Sequence, residues 1–182
     1  MNTPMTTPLD KVFEPEITAF YCIYCGYMAA DTAGALHIQY PANVKFIRLP
    51  CTGKTDIRYI LEAFEQGADG VYVVACPIGN CHHVRGNERS QARIQRAKKI
   101  LDEIGLSSDR VDIFFMSGSQ GHAFAMAAQT MTERLRKLGP NPLKCQVSKA
   151  AEAGFSKQEI EPEEDQSFRG RKSAKTKAQG KP

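Results

Sequence analysis

Four short runs rich in β-branched and aromatic residues, Ile17 to Cys22, Val44 to Leu49, Gly70 to Ala75 and Val111 to Met116, alternate with longer amphipathic stretches. Each run is short enough to be a buried strand. The alternation predicts a parallel sheet covered by helices. The expected architecture is α/β: a single domain with a four-stranded parallel sheet flanked by helices, a Rossmann- or flavodoxin-like three-layer fold. A chain of 182 residues holds one such core and a tail, and is too short for two.

The stretches between the runs carry helical spacing. Ile57, Ile60, Leu61 and Phe64 recur on one face, with Asp56 near the start and Gly67 as a stop. From Glu88 to Ile104 the inward set is Ile94, Ala97, Ile100, Leu101 and Ile104. From His122 to Leu138 it is Phe124, Ala127, Met131, Leu135 and Leu138, ended by Gly139 and Pro140. Tyr27 to Ile38 completes the set, although Gly34 costs it about 1 kcal/mol of propensity.

The ends read differently. Residues 1–15 mix Thr, Pro and charge without a period and are expected to form a flexible arm, so the folded domain spans 16–142. Residues 143–182 form a mostly disordered charged tail. Beyond Gly154 aliphatic residues nearly vanish, and an acidic block, Glu161 to Asp165, gives way to a basic one, Arg169 to Lys181. Such a segment buries too little apolar surface to offset the entropy of ordering.

The formal net charge is +4, yet Ser156 to Pro182 alone holds seven Lys or Arg against five Asp or Glu. The body is therefore nearly neutral, and no nucleic-acid partner is expected. The most apolar stretch, Ile17 to Ala30, is shorter than the roughly 20 residues that span a bilayer, so no membrane association is expected. No early segment combines a basic start, an apolar run and a small-residue cleavage site, and a cytoplasmic location is expected. There, six cysteines point to metal binding or redox chemistry rather than structural disulfides.

Five of the six follow strand ends: Cys22 and Cys25 after the first, Cys51 after the second, Cys76 and Cys81 after the third. In a parallel sheet the carboxyl ends share one edge, where open α/β folds place their ligands. Neighbouring strands are about 4.8 Å apart, so five thiols are expected to converge on one small metal centre. Each loop also carries a glycine, Gly26, Gly53 and Gly79, suited to close backbone approach with N–H groups aimed at thiolate sulfur. All-thiolate ligation suits an iron–sulfur cluster or zinc. A zinc site usually staples a domain without a core, and this chain has one. Cys22-x-x-Cys25 after a strand also resembles a dithiol redox motif, a reading that leaves Cys51, Cys76 and Cys81 unexplained.

His82 and His83 beside Cys81 are expected to donate hydrogen bonds near such a centre rather than ligate it. His37 and His122 read as helix-end polar residues, and Cys145 as a free thiol away from the edge. The stripe Arg85, Arg89, Arg93 and Arg96 is either a solvated helix face or a basic rim for an acidic partner. Tyr24, Tyr27, Pro77, Ile78 and His83 are apolar or aromatic enough to form the core of an interface around the cysteines.

From residue 16 to residue 140 the sequence closely resembles the delta subunit of methyl-viologen-reducing (F420-non-reducing) hydrogenase, an iron–sulfur protein found with heterodisulfide reductase. The matching words are Ala19-Phe-Tyr-Cys-x-x-Cys25, Ala30-Asp-Thr-Ala-Gly34, Gln39-Tyr-Pro41, Asn43-Val44, Arg48 with Cys51-x-Gly53, Glu62-Ala-Phe64, Gly67-Ala-Asp-Gly70, Cys76-x-x-Gly-x-Cys-His82, Gly86-Asn87 and Leu138-Gly-Pro140. The resemblance implies a [2Fe–2S] cluster with Cys22, Cys25, Cys51, Cys76 and Cys81 as its five candidate ligands, one more than a cluster needs. Gly26, Gly53, Gly79 and His82 would surround it. It further implies an electron carrier without a substrate site of its own, relaying electrons between a hydrogenase or other dehydrogenase module and the flavin-containing A-type subunit of a heterodisulfide reductase-like complex. The alternatives left by the residues themselves are a zinc-thiolate docking module and a dithiol oxidoreductase using Cys22 and Cys25.

Overall fold

The computed structural model describes residues 13–144. Residues 1–12 of the expected arm, Cys145 and the rest of the expected tail lie outside the described residues, whereas of the two residues expected to open that tail, Leu143 packs on the core and Lys144 bonds Asp69. Four parallel strands, β1 (Ile17–Cys22), β2 (Val44–Leu49), β3 (Gly70–Ala75) and β4 (Val111–Phe115), form one sheet in the order β2-β1-β3-β4. They alternate with four helices: α1 (Cys25–Ala35), α2 (Ile57–Glu65), α3 (Gly86–Glu103) and α4 (Gly121–Leu138). This is the expected three-layer α/β fold. β3, packed between β1 and β4 and buried at every position, is its central strand.

The strand pleat divides the core. Ile17, Ala19, Tyr72 and Val74 face α1 and α4, where Ala29, Ala33, Phe124, Ala127 and Met131 meet them. Phe20, Val71, Val73 and Val111 face α2 and α3, against Ile60, Phe64, Ile94, Ala97 and Leu101. Two expected core residues fall outside: Ile104 and Leu138 are 57% and 37% exposed. Ile104 caps the carboxyl end of α3 and Leu138 is the last residue of α4. The first helix starts at Cys25, not Tyr27, and ends at Ala35, because Leu36 caps it and His37 turns to φ 52. β4 ends at Phe115, one residue early, although the Met116 N–H still bonds the Ala75 carbonyl at 3.0 Å.

The amino edge of the sheet is densely bonded. The Asp69 carboxylate, fully buried, accepts from the backbone N–H groups of Glu16 and Asn141 and from Lys144 Nζ, each at 2.8 Å. Buried Arg110 donates to the carbonyls of Leu106, Asp69, Gly139 and Pro140. The Asn141 amide donates to Phe64 and Ala68. These groups fasten the chain after α4 to the strand starts. Among the described residues no helix is long and apolar enough to cross a membrane.

Candidate metal centre

The strand order decides which cysteines meet. β1 lies between β2 and β3, so the loops after all three open side by side at the carboxyl edge. The chain reverses its winding direction between β1 and β3, and ligand crevices of open α/β sheets form at such a switch point. Cys22 and Cys76 face each other there, both 2% exposed, with their sulfurs 3.7 Å apart. Two thiolates bound tetrahedrally to one metal at about 2.3 Å are roughly 3.8 Å apart. Cys25, half-buried as the first residue of α1, also interacts with the Cys76 thiol.

On the other side, Cys51 and Cys81 form a second pair, both half-buried. They meet at Gly86, the first residue of α3. A Cβ there would collide with the Cys51 sulfur and stand 3.2 Å from that of Cys81. Gly53 closes the same cradle, since its own Cβ would come within 2.9 Å of the Gly86 Cα. The two glycines let backbone pass against backbone and leave the sulfurs room. Among the described residues no three His, Cys, Asp or Glu side chains are close enough to hold one metal ion. The five thiols are gathered as a trio, Cys22, Cys25 and Cys76, linked through Cys76, beside the pair Cys51 and Cys81.

Hydrogen bonding to sulfur follows the expectation at two loops. The Gly26 N–H donates to the Cys22 sulfur and the Gly53 N–H to that of Cys51, each at 3.3 Å. At Gly26 an added Cβ would press on Tyr21 at 2.9 Å, so the close approach needs glycine. Gly79 differs: it adopts φ +87 in the turn closed by the Asn80 N–H on the Pro77 carbonyl, and nothing lies within 4 Å of its Cβ position. It serves the turn, not a sulfur.

The Cys22 thiol is pulled down to about 6, chiefly by the hydrogen bond from Cys76, with the N–H groups of Gly26, Tyr24 and Cys25 acting against burial. The same contact with Cys22, and then burial, push Cys76 up. The two sulfurs titrate as a pair, and their contact stabilises one thiolate between them. Burial raises Cys51, opposed by the Gly53 N–H. The edge thus holds thiolate charge by contact and by backbone dipoles, as a metal–thiolate site requires. Thr52, the neighbour of Cys51, is 1% exposed and its hydroxyl has no hydrogen-bond partner among the described residues. Soft ligands, N–H donors and the glycine cradle together fit a metal–sulfur group.

The histidines stand at the rim. His82 is exposed and stacks on Tyr24 with ring centroids 4.0 Å apart, while His83 meets Tyr24 edge-on at 5.8 Å. The His82 ring makes no hydrogen bond to a cysteine sulfur among the described residues. His122 is exposed in the first turn of α4, the helix-end place expected of it.

The arginine stripe is split. Arg85 is exposed and pairs with Glu88, and Arg89 and Arg96 are exposed, but Arg93 turns inward and donates to the carbonyls of Gly53 and Thr55. It holds the Cys51 loop against α3 and is unavailable as a surface charge. Asn87 has a matching task, its amide donating to the carbonyls of Cys76 and Pro77 at 3.0 and 2.8 Å. Gly86 and Asn87 were visible in the sequence only as a word of the family resemblance, five residues past Cys81, and Arg93 only as one member of the basic stripe; nothing local marked what each touches.

The family described as methyl-viologen-reducing hydrogenase, delta subunit, matches residues 17–139. The vhu iron-sulfur D-type subunit of the F420-non-reducing hydrogenase of Methanocaldococcus jannaschii is 51% identical over 133 residues, 73% of this chain and 99% of that protein. The iron-sulfur D-type subunit of the F420-non-reducing hydrogenase of Archaeoglobus profundus is 40% identical over 132 residues, 72% of this chain and 96% of its own. A segment making up 16% of the A-type subunit of the ferredoxin/F(420)H(2)-dependent CoB-CoM heterodisulfide reductase of Methanosarcina acetivorans is 35% identical to 126 residues, 69% of this chain.

Proposed function

The chain belongs to the methyl-viologen-reducing hydrogenase delta-subunit family, and we propose that its cysteine edge holds a [2Fe–2S] cluster and serves as an electron relay. The observation that carries the reading is the grouping of thiols. A two-iron cluster takes two thiolates on each iron, and the edge offers a pair on one side and a trio on the other. Relatives named iron-sulfur subunits support the element. The group would supply one-electron transfer. The chain's own part is to gather the thiolates, donate the N–H groups of Gly26 and Gly53 to sulfur, and cover the inner side with Cys22, Cys76 and Asn87.

The partners we propose are a hydrogenase or other dehydrogenase module and the A-type subunit of a heterodisulfide reductase-like complex. In the Methanosarcina acetivorans protein a segment of this kind is part of the A-type subunit itself, which supports direct contact between the two in proteins where they are separate chains. Such a relay needs no substrate pocket.

Anaerobic purification followed by iron, acid-labile sulfide and zinc analysis tests the reading. Two irons and two sulfides per chain, with visible absorption that bleaches on dithionite, are expected. A colourless protein with stoichiometric zinc, or one with neither metal, would refute it.

A further inference from the structure

We propose that the five thiols divide unequally between the two irons. Cys51 and Cys81 hold one iron without a substitute, while the other draws two ligands at a time from Cys22, Cys25 and Cys76, the third waiting as a reserve. The inference rests on the [2Fe–2S] reading and adds to it the role of the fifth cysteine.

The pair and the trio differ in what surrounds them. The Cys51 and Cys81 sulfurs are walled by Gly53 and Gly86, whose backbones touch, and the Cys51 loop is pinned to α3 by Arg93. The thiols that act on Cys51 are those of Cys81 and Cys22; Cys22 is already committed to Cys76 at 3.7 Å and Cys25 interacts with Cys76, so no uncommitted thiol stands beside Cys51. In the trio, Cys22 and Cys76 are set by the ends of paired strands and already stand 3.7 Å apart. They are the resting ligands. Cys25 lies three residues past Cys22, across the turn that leads from β1 into α1, half-buried, and interacts with the Cys76 thiol. With the cluster bound, Cys25 would take the place of Cys22 or Cys76 on the same iron, its thiol proton going to the released thiolate, so that neither the charge nor the electron count would change. An iron that can trade one thiolate for another tolerates damage to a ligand. An iron held by two irreplaceable thiolates does not.

Single Cys→Ser variants at all five positions and the doubles Cys22→Ser/Cys25→Ser and Cys76→Ser/Cys25→Ser test this, read by iron and sulfide content, the electron paramagnetic resonance of the dithionite-reduced protein, and far-ultraviolet circular dichroism. Cys25→Ser should keep full iron and the unaltered resonance. Cys22→Ser and Cys76→Ser should each keep more than about half the iron with an all-thiolate spectrum, because hydroxyl oxygen competes poorly with a nearby thiolate for iron. Each double should then lose it, or shift to oxygen ligation, as completely as Cys51→Ser or Cys81→Ser does alone. Iron loss in Cys25→Ser equal to that in Cys51→Ser would overturn the division. So would equal iron in a Cys22 or Cys76 single and its double, or a retained all-thiolate resonance in Cys51→Ser and Cys81→Ser. Should one trio single fail to fold by circular dichroism, the other and its double decide the question. Absence of iron and sulfide from the unaltered protein would refute the cluster itself, a different result from any variant pattern.

Discussion

Val84→Gly should make the protein more stable, an unusual outcome for trimming a side chain in a loop beside a functional site. Val84 adopts φ 62 and is 77% exposed. Its neighbours are bonded across it, the Arg85 N–H to the His83 carbonyl at 2.7 Å, which together with the positive φ makes a γ-turn of the rarer, strained hand. A β-branched residue in this region is strained by roughly 1–2 kcal/mol. Glycine adopts the same angles freely but costs about 0.5–1 kcal/mol more in chain entropy. With about a quarter of the side chain buried, losing it forfeits only some 0.4 kcal/mol of apolar burial. At the middle of these ranges the balance favours the variant by a few tenths of a kcal/mol, and at their favourable limit by about 1, a rise of about 1–4 °C in thermal midpoint for a body of this size. Val84→Ala keeps a Cβ and should gain nothing, whereas Val84→Asn, which tolerates the left-handed region, should fall between the two. Thermal unfolding by circular dichroism, under anaerobic conditions and at matched iron content, measures this. A midpoint lowered in Val84→Gly, or raised equally by Ala, would show that the turn is unstrained and the reasoning wrong.

Other outcomes follow from single contacts. Gly86→Ala brings a methyl group onto the Cys51 sulfur and should cut iron content severalfold with the fold retained by circular dichroism; Gly79→Ala, strained but touching nothing, should leave iron unchanged. Arg93→Met removes two charged hydrogen bonds to the Cys51 loop and should lower stability by about 2 kcal/mol, measured by denaturant midpoint. Burial opposes ionisation of Asp112, but Arg134, the Ile113 N–H and Lys98 outweigh it and hold the carboxyl below its ordinary value. Its contribution is therefore present above the unfolded value and lost as pH falls through the folded one, so Asp112→Asn should flatten the acid limb of a stability-against-pH curve and cost about 1 kcal/mol at neutral pH.

What could be read from the sequence follows from where local signals exist. All four strands start where the β-branched runs start, because strands buried by helices carry their pattern in composition alone. The α2 start was legible because Asp56 caps it, accepting the Arg58 N–H. α1 and α3 begin two residues earlier than their periodicity suggests, at Cys25 and Gly86, and neither has a side-chain cap that could have marked the place. The parallel edge made it legible that thiols meet there, as Cys22 meets Cys76 and Cys51 meets Cys81, although among the described residues no three of the thiols are close enough to share one ion. Which thiols group together was not legible, because it depends on β1 standing between β2 and β3, which no local pattern encodes. The Cys22-x-x-Cys25 spacing suggested a pair, whereas the partner of Cys22 comes from β3, 54 residues away in the chain. Arg93 shares its spacing with solvated neighbours, and only the position of the Cys51 loop turns it inward. Asp69 was hidden as one acid in Gly-Ala-Asp-Gly, its importance set by backbone that meets it from Glu16, 53 residues before it, and from Asn141, 72 residues after it.

The two edges of the sheet divide the work. At the amino edge every polar group of the Asp69, Arg110 and Asn141 network finds a protein partner, and such satisfied, buried bonds specify a single arrangement. At the carboxyl edge the donors of Gly26 and Gly53 end on sulfur, the Thr52, Thr55 and Ser90 hydroxyls are buried without a partner among the described residues, and Val84 is held in a strained turn. Unmet polar groups and strain are tolerated only where the surrounding structure is over-determined. The two apolar clusters and the amino-edge network supply that surplus without reference to any metal. Folding therefore does not wait on the thiols, unlike a zinc finger whose core is its metal. The cysteine loops are held by Arg93 and Asn87 against that scaffold, and circular dichroism separates a variant that loses ligation from one that loses the fold.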